Sequence, residues 1–192
     1  MRFCLNILLF MILAVPLTST QLIAQEQDII GVYFDEEAVT SIYETTGPAE
    51  DVEVWVAVKN MSATADFLAL NFWLDANGDC VSAISLLGGA QNPGECGMFI
   101  LGASPPIPRR DLILICRTGF LVTSPSERID LYIRAIPDIP DPSPVYLTIE
   151  QEVFDLTPSS GSFTDPVAII NPDGVLEHSG STWGGIKELY GK

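Results

Sequence analysis

The stretch Asp75-Ala-Asn77-Gly-Asp79-Cys80 sets three oxygen-bearing side chains at alternate positions, the spacing with which a calcium-binding loop begins. Such a loop needs a glycine directly after the third ligand and a bidentate glutamate at about the twelfth position. Cys80 and Leu86 stand there instead, so the EF-hand pattern fails. Asp75, Asn77 and Asp79 remain candidates for a looser structural Ca²⁺ site. The simpler reading is that Asn77-Gly78 makes a tight hairpin turn.

A second pattern is aromatic. In "VEVWVAV" the residues Val52, Val54, Val56 and Val58 share one face, and in "FLALNFWLD" so do Leu68, Leu70, Phe72 and Leu74. If the two segments pair across the loop "NMSATAD", their other faces carry Glu53 and Trp55 against Asn71 and Trp73. Two indoles on the non-core face of neighbouring strands form a flat platform. A pyranose ring stacks on such a platform while Asn71 and Glu53 bind its hydroxyls. The alternative is that a loop, the C-terminal tail or a partner covers both rings.

Nucleophilic catalysis finds little support. The single histidine is His178, far along a tail, and no G-x-S-x-G elbow occurs. A glycosidase needs only two carboxylates roughly 5–10 Å apart. Among 25 acidic residues such a pair arises by chance. The cysteines point to structure. In an exported chain Cys80 and Cys96, each in a Gly-rich turn, are the candidates for a disulfide. Closing a loop of about 15 residues would contribute about 3 kcal/mol. Cys116, inside "LILICR", reads as a buried free thiol.

The elements that must position these residues are strands. Period-2 alternation recurs in "RIDLYIRA", with Ile129, Leu131, Ile133 and Ala135 inward, and in "VYLTIE", with Val145, Leu147 and Ile149 inward. "DLILICRTGFLV" is apolar on both faces for its first half, as a central strand is. Shorter candidates are "DIIGVYF", "CVSAISLL" and "CGMFILG". Breakers such as "TTGPAED", "GGAQNPGE", "ASPPIPRR" and "PDIPDPSP" separate the segments. The expectation is an all-β chain: a single jelly-roll or Ig-like antiparallel β-sandwich of about eight to ten strands over residues 25–171.

The chain begins like an exported protein. Met1-Arg2 is a basic start, an apolar run follows from Phe3 to Pro16, and Thr18, Ser19 and Thr20 lead to a cleavage site after Ala24. The run, roughly 14 residues, falls short of the roughly 20 that span a bilayer. Residues 1–24 are therefore read as a signal helix that is removed, with no stable membrane insertion afterwards. Nine basic against 25 acidic residues give a net charge of −16. Such a surface repels nucleic acid and anionic lipid. A hydrophobic content of 47% nevertheless argues for a packed core.

Four stretches, "IIGVYFDEEA", "TGFLVTSPSERIDLYI", "LTPSSGSFTDPVAIIN" and "TWGGIKELYGK", resemble a group of short exported bacterial proteins. Those are similar to the cohesin and carbohydrate-binding-module type of β-sandwich. The resemblance implies that fold and a periplasmic, cell-surface or extracellular location, and it carries no catalytic residue over. Residues 172–192 form a linker and a short helical tail in which Trp183, Ile186, Leu189 and Tyr190 make an apolar stripe. That stripe either docks on the sandwich or serves as a recognition segment.

The function expected from these readings is a non-enzymatic binding or structural module. Its partner is a glycan held on the aromatic face or, as in cohesins, an envelope protein held on a flat sheet. A glycoside-active enzyme is the third reading.

Overall fold

The structure is a computed structural model that describes residues 27–77, 79–80, 85–86, 90–91, 97–134 and 143–174. The leader 1–24, Cys96 and the tail residues Trp183, Ile186, Leu189 and Tyr190 lie outside the described residues. In chain order the strands are β1 (Ile29–Tyr33), β2 (Ile42–Tyr43), β3 (Glu50–Lys59), β4 (Phe67–Ala76), β5 (Asp79–Cys80), β6 (Ser85–Leu86) and β7 (Ala90–Gln91). There follow β8 (Met98–Ile107), β9 (Leu112–Val122), β10 (Ile129–Arg134), β11 (Val145–Thr148), β12 (Val153–Asp155), β13 (Thr157–Pro158) and β14 (Ala168–Ile170). Among the described residues no helix is long and apolar enough to cross a membrane.

The strands form two sheets packed face to face, an all-β sandwich. One sheet has five strands in the order β13-β1-β3-β9-β6. The other has nine, along the path β12-β11-β4-β10-β14-β2, with β5 and β8 also on β4 and β7 on β8. Pairing is antiparallel except for two short parallel contacts, β1 with β13 and β14 with β2.

The alternating Val-rich pattern of β3 places Val52, Val54, Val56 and Val58 in the core at no more than 1% exposure, because successive side chains of a strand point to opposite faces. From the facing sheet come Leu70, Phe72 and Leu74 of β4 and Leu131 and Ile133 of β10, with Phe72 and Phe99 stacked at 4.6 Å. β9 is central, as its doubly apolar sequence suggests. Ile113, Ile115 and Cys116 face the core, while Leu112 and Leu114 pack outside against Tyr33, Ala38 and Ala57.

Two expectations about strand pairing are corrected. β3 and β4 do not form a hairpin: β3 pairs with β1 and β9, whereas β4 pairs with β5, β8, β10 and β11. The loop between them crosses the end of the sandwich from one sheet to the other. Met61 and Ala63, each 2% exposed, are drawn into the core as it crosses. Backbone groups in such a crossing must find partners. Arg109 supplies two of them, donating from Nε to the Ala63 carbonyl at 3.3 Å and from Nη2 to that of Met61 at 3.2 Å. The Ser62 amide donates to Asp28 Oδ1 at 2.9 Å, and its hydroxyl donates to Asp28 Oδ2.

The second correction is the phase of β11. Tyr146 and Thr148 are fully buried, and Val145, Leu147 and Ile149 face outward, the reverse of the expectation. The Tyr146 ring stacks on Phe154 at 5.0 Å and lies 6.3 Å from Phe67. Its hydroxyl donates to Asp28 Oδ1 at 2.6 Å and accepts from the Ala63 amide at 3.2 Å. The inward phase is held by contacts that only an inward ring can make, the stacking on Phe154 and Phe67 and the hydrogen bonds of its hydroxyl to Asp28 and Ala63.

Burial and the bond to Asp28 push the Tyr146 phenol up to about 12. The folded state then keeps a proton that the unfolded chain releases near its ordinary value of about 10, so stability falls as pH rises through roughly 10 to 12. Tyr146→Phe should cost about 1–3 kcal/mol in chemical denaturation at neutral pH, because the Ala63 amide and Asp28 lose a buried partner. It should also flatten that alkaline slope; an unchanged slope would place the titrating group elsewhere. Burial likewise pushes the Cys116 thiol up to about 12. Mass-mapped alkylation of native protein at neutral pH should therefore leave Cys116 unlabelled until denaturant is added.

Candidate interaction face

The two tryptophans proposed as a platform stand on opposite sides of the sandwich. Trp55 of β3 lies on the outer face of the five-stranded sheet, between Tyr33 of β1 and Arg117 of β9. The Arg117 guanidinium sits 5.6 Å over the indole and is held there by Glu53, Nη1 to Oε1 at 2.7 Å. Cation–π stacking of this kind covers the ring, and Trp55 is only 7% exposed. Trp73 of β4 lies on the outer face of the nine-stranded sheet, half-buried between Met98 and Arg134. Asn71 shares that face, and its Oδ1 accepts the Val145 amide at 2.9 Å. The four predicted residues thus divide into Glu53 with Trp55 and Asn71 with Trp73. They make no common platform, because the chain crosses between sheets after β3.

The oxygen-rich turn serves the sheet. Asp75 and Ala76 pair with Cys80 and Asp79 of β5 across the turn at Asn77, whose φ is 52°. Asn tolerates this left-handed backbone better than most residues. Its side chain also ties β10 in place: Oδ1 accepts the Asp130 amide at 2.8 Å, and Nδ2 donates to the Arg128 carbonyl at 3.0 Å. Asp75, 5% exposed, receives the Arg134 guanidinium. The side chain of Asp79 lies outside the described residues, as does the Cys80–Cys96 pairing. Among the described residues no three His, Cys, Asp or Glu side chains gather as a metal site would require.

The face that the sequence reading missed follows from the phase of β11. With Tyr146 inward, Val145, Leu147 and Ile149 emerge on the same surface as Asn71 and Ala69 of β4. The registers align them in rows. One row runs Gly102, Ala69, Leu147, Val153 across β8, β4, β11 and β12, and the next runs Ile100, Asn71, Val145, Asp155. Val153, Ile149 and Ile100 are 63%, 47% and 46% exposed. Leu147 pairs with Val153 and follows Val145 along β11, with Ile149 just beyond, so these four make an apolar group at the β11–β12 side of the face, while Ile100 lies across Asn71 from Val145. Glu150, Glu152 and Asp155 border the group at the β11–β12 end. Only the alternation of "VYLTI" bears on this face, and both of its phases are largely apolar.

Toward β10 the same face becomes polar and internally paired. Arg128 makes a bidentate contact with Asp130, Nε to Oδ1 at 2.8 Å and Nη2 to Oδ2 at 3.3 Å. Arg134 stacks 4.2 Å over the Tyr132 ring while reaching Asp75. Asp130 is 3% exposed, so it is buried beneath its arginine. Burial and then the Asp130 charge raise the Tyr132 phenol above its ordinary value. Both carboxylates are held by guanidinium groups, so this arrangement is built to present a rigid surface.

The contrast between the indoles is measurable. In chains that retain a single tryptophan, acrylamide should quench Trp73 fluorescence several-fold more efficiently than that of Trp55. Equal quenching would mean that the Arg117 cover does not persist in solution.

No protein-family model and no curated protein matches the chain. Among solved structures it is similar to a cohesin module from a family 33 glycoside hydrolase of Clostridium perfringens ATCC13124, with 10% identity and a TM-score of 0.41. The match covers 68% of this chain and 91% of that one, and it is a distant likeness between β-sandwiches.

Proposed function

We propose that this chain is an exported, non-enzymatic interaction module that holds a protein partner on the outer face of its nine-stranded sheet. One observation carries the reading: Val145, Leu147 and Val153 on the registered strands β11 and β12, with Ile149 just beyond β11, turn an apolar group outward that a folded partner can desolvate. The acidic border at Glu150, Glu152 and Asp155 selects a partner whose apolar stripe is flanked by lysine or arginine. Export rests on the leader 1–24, and the sandwich within residues 25–171 is the binding unit. The glycan reading depended on a shared Trp55/Trp73 face, and these rings occupy opposite sheets.

A photo-crosslinking amino acid placed at Leu147 or Val153 tests the proposal. It should capture a discrete protein from the envelope and secreted fractions, and the same probe at Leu121, exposed on the other sheet, should not. Val153→Glu should weaken binding of the purified partner at least about tenfold while changing stability by no more than about 0.5 kcal/mol. Equal capture from Leu121, or no capture from Leu147 and Val153, would overturn the assignment. So would a soluble polysaccharide whose binding is lost in Trp73→Ala.

A further inference from the structure

A recess of about 350 Å³ opens where Ile29 and Lys59, paired across β1 and β3, meet the loop at Ala38–Ser41 and the turn at Ser159–Ser160. Two features of the chain create it. The loop after β1 folds back because Asp35 accepts the amides of Val39 at 2.9 Å and Thr40 at 2.5 Å, burying Ala38 completely. Beyond β13 the chain turns away from β1, and Ser160 Oγ closes the turn on the Ser162 and Asp165 carbonyls at 2.9 and 3.2 Å. The gap between these loops exposes the end of Lys59.

Lys59 differs from the four arginines that make ion pairs and, being half-buried, from the exposed Arg110. Arg109, Arg117, Arg128 and Arg134 each hold a carboxylate. Among the described residues Lys59 holds none. Its Nζ donates to the Ala38 carbonyl at 2.8 Å and lies 5.1 Å from the Tyr33 ring centroid. The Tyr33 ring is fixed in turn: a Cβ on Gly31 would come within 2.6 Å of its hydroxyl, so glycine is what lets the ring lie there. The lining of the recess contains no acidic residue, although acidic residues outnumber basic ones 25 to 9 in the chain. A half-buried ammonium satisfied only by a carbonyl and a ring face attracts an anion strongly, because the surrounding protein screens less than water does. The rest of the wall is mixed: Ile29, Val39, Pro166 and Val167 are short and aliphatic, and Ser41, Asn60, Ser159 and Ser160 lie among them. The volume sits at the low end of small-molecule sites, about 300–1,000 Å³.

We propose that this recess binds a small carboxylate carrying a short branched aliphatic group. Lys59 takes the carboxylate, and Ile29, Val39 and Val167 enclose the alkyl part. Two sources share this chemistry: a free aliphatic acid and the C-terminal residue of a peptide. Amide-resolved NMR titration of the mature chain with isovalerate, isovaleramide and N-acetylvaline tests the site and separates the sources. Isovalerate or N-acetylvaline should give saturable shifts confined to Tyr33, Ala38, Val39, Lys59 and Ser159. The amide should bind at least about tenfold more weakly, and Lys59→Met should erase that preference. Tighter binding of N-acetylvaline supports the site and points to a peptide terminus, and equal or weaker binding supports it and points to free acids. Equal binding of acid and amide would overturn the proposal, as would shifts centred elsewhere or no saturation by about 50 mM. If Lys59→Met does not fold, the acid–amide contrast on the unaltered chain still decides.

Discussion

Asp28 accepts hydrogen bonds from the Tyr146 hydroxyl and from both donors of Ser62, at the point where the chain leaves one sheet for the other. Much of the architecture depends on that junction. The carboxylate fixes the crossing loop, so β3 and β4 go to different sheets and cannot form a hairpin. It also satisfies the tip of Tyr146, which allows the ring into the core and commits β11 to one phase. Because side chains alternate strictly along a strand, that commitment sends Val145, Leu147 and Ile149 to the outside. The exposed apolar face is thus a consequence of how one buried tyrosine is hydrogen-bonded.

Charge is organised around the same frame. In a strongly acidic chain four of the described arginines are placed where they cover or orient something. Arg117 lies over Trp55, Arg128 clamps Asp130, Arg134 bridges Tyr132 and Asp75, and Arg109 caps the crossing loop. Each partly buried guanidinium–carboxylate contact gains from reduced screening, which an exposed surface pair does not. The pairs near β10 hold that part of the nine-stranded face rigid, while the part formed by β8, β11 and β12 stays apolar. Lys59 stands apart because a carbonyl and a ring face take the place of a carboxylate.

Much of the fold was legible in the residues. The Val52–Val58 alternation, the doubly apolar start of β9, the inward Ile129, Leu131 and Ile133 of β10 (Ala135 lies outside the described residues) and the burial of Cys116 all follow from local period and composition. The turn residues were legible too: Asn77 takes a left-handed backbone between β4 and β5, as an Asn-Gly pair in a tight hairpin should. The site was much less so. The "NMSATAD" stretch has the length and polarity of a hairpin loop, and nothing local to it distinguishes a hairpin from a crossing. In "VYLTI" both alternation phases carry large apolar groups, so periodicity alone is degenerate there.

The sequence by itself determined that this chain is a strand-rich sandwich with a buried thiol and an acidic surface, because period-2 patterning and charge counts act through local geometry and bulk solvation. Only the tertiary structure decided which strands are neighbours, which phase β11 adopts and which surface each tryptophan faces. Those choices rest on contacts between residues far apart in the chain, Asp28 with Tyr146 and Trp55 with Arg117 among them. Their free energy exists only once the two sheets have closed on each other, and no window of neighbouring residues contains it.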